Sequence, residues 1–381
     1  MKLSLFLMVL VGHVCLFTCQ QHEYHYVDKN MNWTQAQQHC RKVYTDLATV
    51  STMADMEQLR NTHSEKTEIW IGLFKQTGTN VTSHWSLPGL QFNESQAKWK
   101  DNEPDGGFTS ETCGAIEKMT ETQWVDMSCM GPAPFLCYNG SNSSAIKYYL
   151  GDTMTWFDAL RYCRENHTDL ISGPQLNELH NNPKEKIIQL YNGNSENNLS
   201  SLSHFHHIFI GLFRDAWTWS DGSSFSFTYW NLNYDSESIK HDCSIRNKNG
   251  MWETKPCSEE KPFFCYTDHV ILIKESRTWE EALYYCRHHH HDLVTITNMD
   301  EQIWVQEKTK NASSPFVWTG LRYTCTLGFW FWVSDEVVHY KNWASPGQGN
   351  ECDMSGAMDT GGEHKWFKKH DEEKFNFFCS K

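Results

Sequence analysis

Carboxylates crowd one stretch of the chain. Between Trp99 and Asp126 stand Glu103, Asp105, Glu111 and Asp126, with Cys113 inside the group and Cys129 just beyond it. Hard oxygen donors of this kind suit calcium rather than the softer metals that thiolate and imidazole ligands select. A bridge between Cys113 and Cys129 would draw separate loops into one oxygen-rich pocket. Pro104 separates Glu103 from Asp105, and a cis Glu103-Pro104 bond would aim both side chains toward one point. The plain alternative is a set of solvated carboxylates, since acidic side chains are mostly exposed in any protein. The run His288-His289-His290-His291 also invites a metal. It follows directly on an expected helix, however, and is read as a solvent-facing segment.

Other chemistries find no foothold. The sequence contains no His-Glu-x-x-His, no Gly-x-Ser-x-Gly and no phosphate-cradling loop, so catalysis is the weakest reading. A formal charge of -14 argues against nucleic acid, heparin-like polymers and anionic membranes as partners. The 17 tryptophans read as core and loop packing, not as platforms for stacked bases.

The N-terminus bears on the cysteines. Lys2 precedes the apolar run Leu3 to Val11, the layout of a secretory signal peptide expected over residues 1–20. An uncleaved anchor is the alternative, but a spanning helix needs about 20 apolar residues and Gly12, His13 and Thr18 interrupt this one. No later segment approaches that length, so the product is expected to be secreted, with no transmembrane segment after cleavage. Cys15 and Cys19 leave with the signal, and the even remainder of the 14 cysteines reads as disulfides. Zinc is excluded by the lack of any Cys-x-x-Cys pair. Sequons at Asn32, Asn80, Asn93, Asn139, Asn142, Asn166, Asn198 and Asn311 fit the same route.

The elements that must position the carboxylates recur three times. Trp33, Trp156 and Trp279 lie at a constant interval, and each opens a Trp-x-x-Ala-x-x-x-Cys-Arg segment followed by Asp-Leu. Trp, Ala and Cys at i, i+3 and i+7 share one helix face, which aims the cysteine into a core. A second helix is predicted after Thr52, Ser172 and Asn298, each with an acceptor three residues on. Then come Trp70-Ile71-Gly72-Leu73, Phe209-Ile210-Gly211-Leu212 and Trp318-Thr319-Gly320-Leu321, short strands whose glycine admits a close neighbour. Each copy closes on a strand bearing Cys137, Cys265 or Cys379. Three domains of about 120 residues suit the length, assigned as 22–138, 147–266 and 268–380 with a polar linker at 139–146.

This frame resembles the C-type lectin domain family, in a layout similar to part of the macrophage mannose receptor family. The resemblance implies an α+β fold of three tandem domains, each with two helices, antiparallel strands and long loops. It also implies bridges Cys40–Cys137, Cys113–Cys129, Cys163–Cys265, Cys243–Cys257 and Cys286–Cys379. The third copy departs from the frame, and pairing of Cys325 with Cys352 follows by elimination.

Glu-Pro-x, a Glu two residues before a Cys, and Trp-x-Asp resemble the family's calcium site, through which the family binds sugar. Glu103, Asp105, Glu111 and Asp126 are therefore the expected calcium and ligand residues, with Val125 where the family has Asn. Copy two has Trp252-Glu253 there and His241 before Cys243. Copy three has Lys368 where a carboxylate belongs, and its Gln348 and Asn350 lack the motif's proline. Two functions follow as expectations. One is a secreted protein recognising glycans or glycoproteins, with calcium in the first copy alone. The other is an array that binds protein ligands without calcium. Because Asp105 and Val125 supply no amide donor, sugar binding is expected to be poor. Restoring both amides by Asp105→Asn and Val125→Asn is expected to create mannose-type binding.

Overall fold

The structure is a computed structural model and describes residues 21–64, 67–75, 81–105, 112–117, 123–140, 147–181, 187–190, 207–231, 242–344 and 352–381. The expected signal peptide, Asn80, Glu111, Asn142, Asn198, His241, Gln348 and Asn350 lie outside those residues.

The first copy supplies β1 (His22–Met31), α1 (Trp33–Val43), β2 (Asp46–Leu47), α2 (Met53–Thr62), β3 (Ile69–Lys75), β4 (Thr82–Trp85), β5 (Thr112–Ile116), β6 (Trp124–Ser128) and β7 (Ala133–Asn139). The second supplies β8 (Lys147–Met154), α3 (Trp156–Asn166), β9 (Asp169–Leu170), α4 (Gly173–Asn181), β10 (Ile187–Leu190), β11 (Ile208–Asp215), β12 (Trp217–Trp219), β13 (Cys243–Arg246), β14 (Trp252–Lys255) and β15 (Lys261–Asp268). From the third come β16 (Val270–Arg277), α5 (Trp279–His289), β17 (Asp292–Leu293), α6 (Met299–Lys308), β18 (Phe316–Thr324), β19 (Phe329–Trp332), β20 (Met354–Asp359), β21 (Trp366–His370) and β22 (Phe375–Ser380).

The repeated helix forms for the reasons its sequence gives. Asn32, Thr155 and Thr278 cap α1, α3 and α5, each accepting a hydrogen bond from the backbone three residues on, which satisfies a helix-end N–H. Trp, Ala and Cys of each motif are buried on one face. Thr52 and Asn298 cap α2 and α6 in the same way. Ser172, before α4, instead donates its hydroxyl to the Leu170 carbonyl. His288 and His289 end α5 and are exposed.

Each sheet has the same order of equivalent strands, yet only the third is built from one copy. That sheet runs β16-β22-β18-β20-β21, with β19 on β18. Within residues 26–265, a second compact unit, the first two copies have exchanged halves. A central lobe runs β10-β8-β7-β11-β5-β6, with β10 an added parallel edge strand, and takes β4 onto β11; an outer lobe runs β1-β15-β3-β13-β14 and takes β12 onto β3. The strands from 82 to 215 thus form one lobe, while those before 76 and after 216 form the other.

The disulfides correct two expected pairings. Cys40 is bonded to Cys265 and Cys137 to Cys163, not Cys40 to Cys137 and Cys163 to Cys265. The reason is packing: Trp33, Ala36 and Cys40 share a core with Phe263 and Cys265, whereas Trp156, Ala159 and Cys163 share one with Phe135 and Cys137. The Cys113–Cys129, Cys243–Cys257, Cys286–Cys379 and Cys325–Cys352 bonds are present.

An arginine clamp records the same exchange. Arg287 reaches Asp292 and the Val333 carbonyl within the third copy. Arg41 pairs with Asp46 of its own copy but donates to Ser220 of the second. Arg164 pairs with Asp169 and donates to the Ser86 carbonyl of the first.

The Gly of the short strand admits its neighbour as expected. A Cβ on Gly72 would lie 3.0 Å from the Leu47 carbonyl oxygen, and one on Gly211 would lie 2.5 Å from Ser86 Oγ and 2.8 Å from Ser172 Oγ. Gly211→Ala is expected to destabilise the chain by about 1–3 kcal/mol through overpacking. Gly131→Ala, whose nearest contact would be an ordinary 3.5 Å, should unfold close to wild type in a denaturant titration.

Candidate functional site

The carboxylates are brought together at the end of the central lobe. Trp124 of β6 forms an isolated bridge with Trp99, tied by Lys100 N–H to the Trp124 carbonyl at 2.9 Å and Trp124 N–H to the Lys98 carbonyl at 2.7 Å. That bridge holds the loop carrying Glu103 alongside the strand carrying Asp126. Asn102 takes a left-handed backbone at φ 68° and the Glu103-Pro104 bond is cis. The Asp105 N–H donates to Asp126 Oδ1 at 3.0 Å and to Glu103 Oε2 at 3.3 Å, and the Asp126 N–H lies 3.4 Å from Glu103 Oε2.

Glu103, Asp105 and Asp126 each offer an oxygen within 4.8 Å of the others, the arrangement a metal ion needs. Glu111 lies outside the described residues, so the structure places three of the four expected ligands. Burial, then a hydrogen bond that its protonated form donates to the Asp126 carboxylate, holds the Glu103 carboxyl above the usual carboxylate range. Three negative groups converging at such separations repel, and a divalent cation would relieve that. The donor set therefore fits calcium, although calcium takes six to eight oxygens and these side chains supply only some of them.

The sequence offered no reason to look to Arg214. It belongs to β11, from the second copy, and its Nη1 lies 3.6 Å from Asp126 Oδ2. The Asp126 side chain is only 1% exposed, while the arginine is 22% exposed. Among the described residues its buried Nε has no hydrogen-bond partner. No motif marks this arginine, and only the exchanged topology delivers it to the carboxylates.

The other lobes lack the cluster for reasons visible in register. Asp126 stands opposite Gly114, a position taken by Thr254 opposite Ser244 in the outer lobe and by Lys368 opposite Gly356 in the third copy. Glu253 is engaged by Lys255 at 2.7 Å. Among the described residues, Glu103, Asp105 and Asp126 are the one such group of metal-capable side chains.

Val125 changes the expected repair. It is 5% exposed and belongs to the core cluster of Cys113, Cys129, Phe135 and Trp156, on the face opposite Asp126. An amide there enters the core and does not join the carboxylates. Val125→Asn is therefore expected to cost about 1–3 kcal/mol, the usual penalty for an unsatisfied buried polar group, read as a lowered Tm, and to add no sugar binding.

The raised Glu103 carboxyl sets a pH dependence. A group whose folded pKa is raised contributes stability that is full below its unfolded pKa and is lost as pH rises through the folded value. In calcium-free buffer, Glu103→Gln should thus be more stable than wild type at neutral pH, and the difference should vanish as thermal melts are taken down to about pH 4.

The Lectin C-type domain family matches residues 29–139, 152–267 and 275–381. Human C-type mannose receptor 2 is 24% identical over 371 residues, covering 82% of this chain and 24% of that receptor. The human secretory phospholipase A2 receptor is 23% identical over 377 residues, with the same coverage of 82% and 24%. The chain spans about a quarter of the length of these relatives, both of them receptors. Human lithostathine, a solved structure, is 25% identical and aligns with 29% of this chain and 80% of its own at a TM-score of 0.27. Matched along three successive stretches that cover most of its length, this chain belongs to the C-type lectin domain family.

Proposed function

We propose that this protein is an extracellular recognition protein that engages glycans or glycoproteins through one weak calcium site in its central lobe. The observation that carries the reading is the convergence of Glu103, Asp105 and Asp126 on one point in a chain of this family. Six disulfides support secretion, since such bonds persist in oxidising compartments. Among the described residues no helix is long and apolar enough to cross a membrane.

A bound calcium ion would supply coordination to a sugar hydroxyl pair. The chain's own carboxylates would then accept hydrogen bonds from the hydroxyls, and they have no proton to donate once ionised. Asp105 provides no amide, and Val125 lies in the core on the other face. A missing bond is worth about 0.5–1.5 kcal/mol, so a free monosaccharide should be held weakly and a multivalent or protein-borne glycan better.

Calorimetry on the full chain is expected to find one calcium ion with a Kd of about 10⁻⁴ to 10⁻³ M, the range of extracellular modules. Glu103→Gln with Asp126→Asn should abolish it. A glycan array run with and without chelator tests the second half of the reading: chelator-sensitive binding supports it. Calcium-insensitive capture of protein ligands alone would replace it with the protein-binding array.

A further inference from the structure

In all three lobes the strand carrying Gly-Leu receives the same antiparallel neighbour, with a Trp opposite the Leu. Leu321 faces Trp332, Leu73 faces Trp219 and Leu212 faces Trp85. In the third copy the neighbour comes from the same hairpin. There β18 turns into β19 through four residues, Cys325 to Gly328, with Gly328 at φ +73° and its N–H donating to the Thr324 carbonyl at 2.8 Å.

The second copy has no such turn. Trp217 follows Gly211 by six positions (217 − 211), whereas its counterpart Trp330 follows Gly320 by ten (330 − 320). Folded back in the third copy's register, Arg214 would face Trp217, leaving only Asp215 and Ala216 to reverse the chain. Two-residue hairpin loops need positive φ at both residues or glycine at the first, hence their preference for Asn-Gly. Alanine resists that conformation. In the structure neither Asp215 nor Ala216 has positive φ, and the chain runs on from β11 into β12. The first copy is indifferent, because Lys75 facing Ser83 would leave residues 76–82, ample for a turn. Since the Leu–Trp register is the same in either arrangement, the turns decide between them.

We propose that the turnless Asp215-Ala216 connection dictates the exchange, so that residues 82–215 form a complete, circularly permuted lectin-like domain inserted within the outer one. This domain holds Cys113–Cys129 and Cys137–Cys163 internally, and Asp126 stands on its sheet, in which β11 lies between β7 and β5. The recognition unit is then neither the first sequence repeat nor the second. That last step rests on the site reading above; the connectivity does not, and the test measures connectivity alone.

Non-reducing peptide mapping of the full secreted chain should find Cys40 joined to Cys265 and Cys137 to Cys163. Two variants supply the missing turn: Asp215→Asn with Ala216→Gly, and a four-residue Gly-Asn-Gly-Ser insertion after Ala216. Each should shift the folded product toward Cys40–Cys137 and Cys163–Cys265, the insertion more completely. Should the insertion fail to fold, the length-preserving Asn-Gly variant decides. Wild-type protein carrying Cys40–Cys137 overturns the proposal, and so does retention of the exchanged pairs alone in a folded turn variant. Loss of calcium binding with exchanged disulfides intact would instead defeat only the site reading.

Discussion

The edge-on contact between two tryptophans carries each lobe from its sheet to its loops. The Trp facing the Gly-Leu strand meets a second Trp at nearly a right angle: Trp85 on Trp124 at 5.4 Å, Trp219 on Trp252 at 5.5 Å, Trp332 on Trp366 at 5.4 Å. That second ring's residue in turn bridges a third Trp at the root of the long loop: Trp99, Trp230 or Trp343. Aromatic pairs favour this geometry and add to their burial. Without the first contact Trp124 would lose its neighbour on the sheet, and with it the bridge that sets the Glu103 loop beside Asp126.

Such a contact specifies what must meet but not which copy supplies it. Repeated sequences make the two partners nearly equivalent, so pairing energy cannot distinguish self from neighbour, and the choice falls to the connections between strands. An intact hairpin makes the local partner the nearest one in the chain. In the third copy, where the hairpin is intact, self-pairing prevails. In the first two, the same cores form with halves traded, and the arginine clamp and helix-to-strand disulfide follow the halves, not the repeats.

This division explains what was legible in the sequence. The helices announced themselves through Trp33, Ala36 and Cys40 and their two later copies, because burial on one helical face imposes a spacing. The approach of backbone to Gly72 and Gly211 was likewise readable, as was the Cys325–Cys352 bond, which followed from what was left over. Partner choice was not, because Cys137 and Cys265 occupy equivalent places and no local pattern distinguishes them. The signal lay in the six positions from Gly211 to Trp217, a shortening visible only against Gly320 and Trp330. At the site, Glu103, Asp105 and Asp126 were found by residue type. Val125 looked like a lost ligand in one dimension and is a core residue in three.

Arg214 joins these two themes. Its guanidinium stands in the field of three carboxylates and offsets part of their charge, so the cluster tolerates being without a cation better than three isolated acids would. The same positive charge opposes entry of a divalent ion, by an amount that falls with solvent screening. Lys75 occupies the equivalent place on β3, so either topology sets a cation near Asp126. What the exchange selects is the kind of cation. A lysine is a strongly hydrated point charge on a flexible stem, whereas arginine is a planar fork that remains charged under all conditions of interest. Any affinity of this cluster for a cation would therefore be set jointly by acids from one repeat and a base from the next, and could not be assigned to either repeat alone.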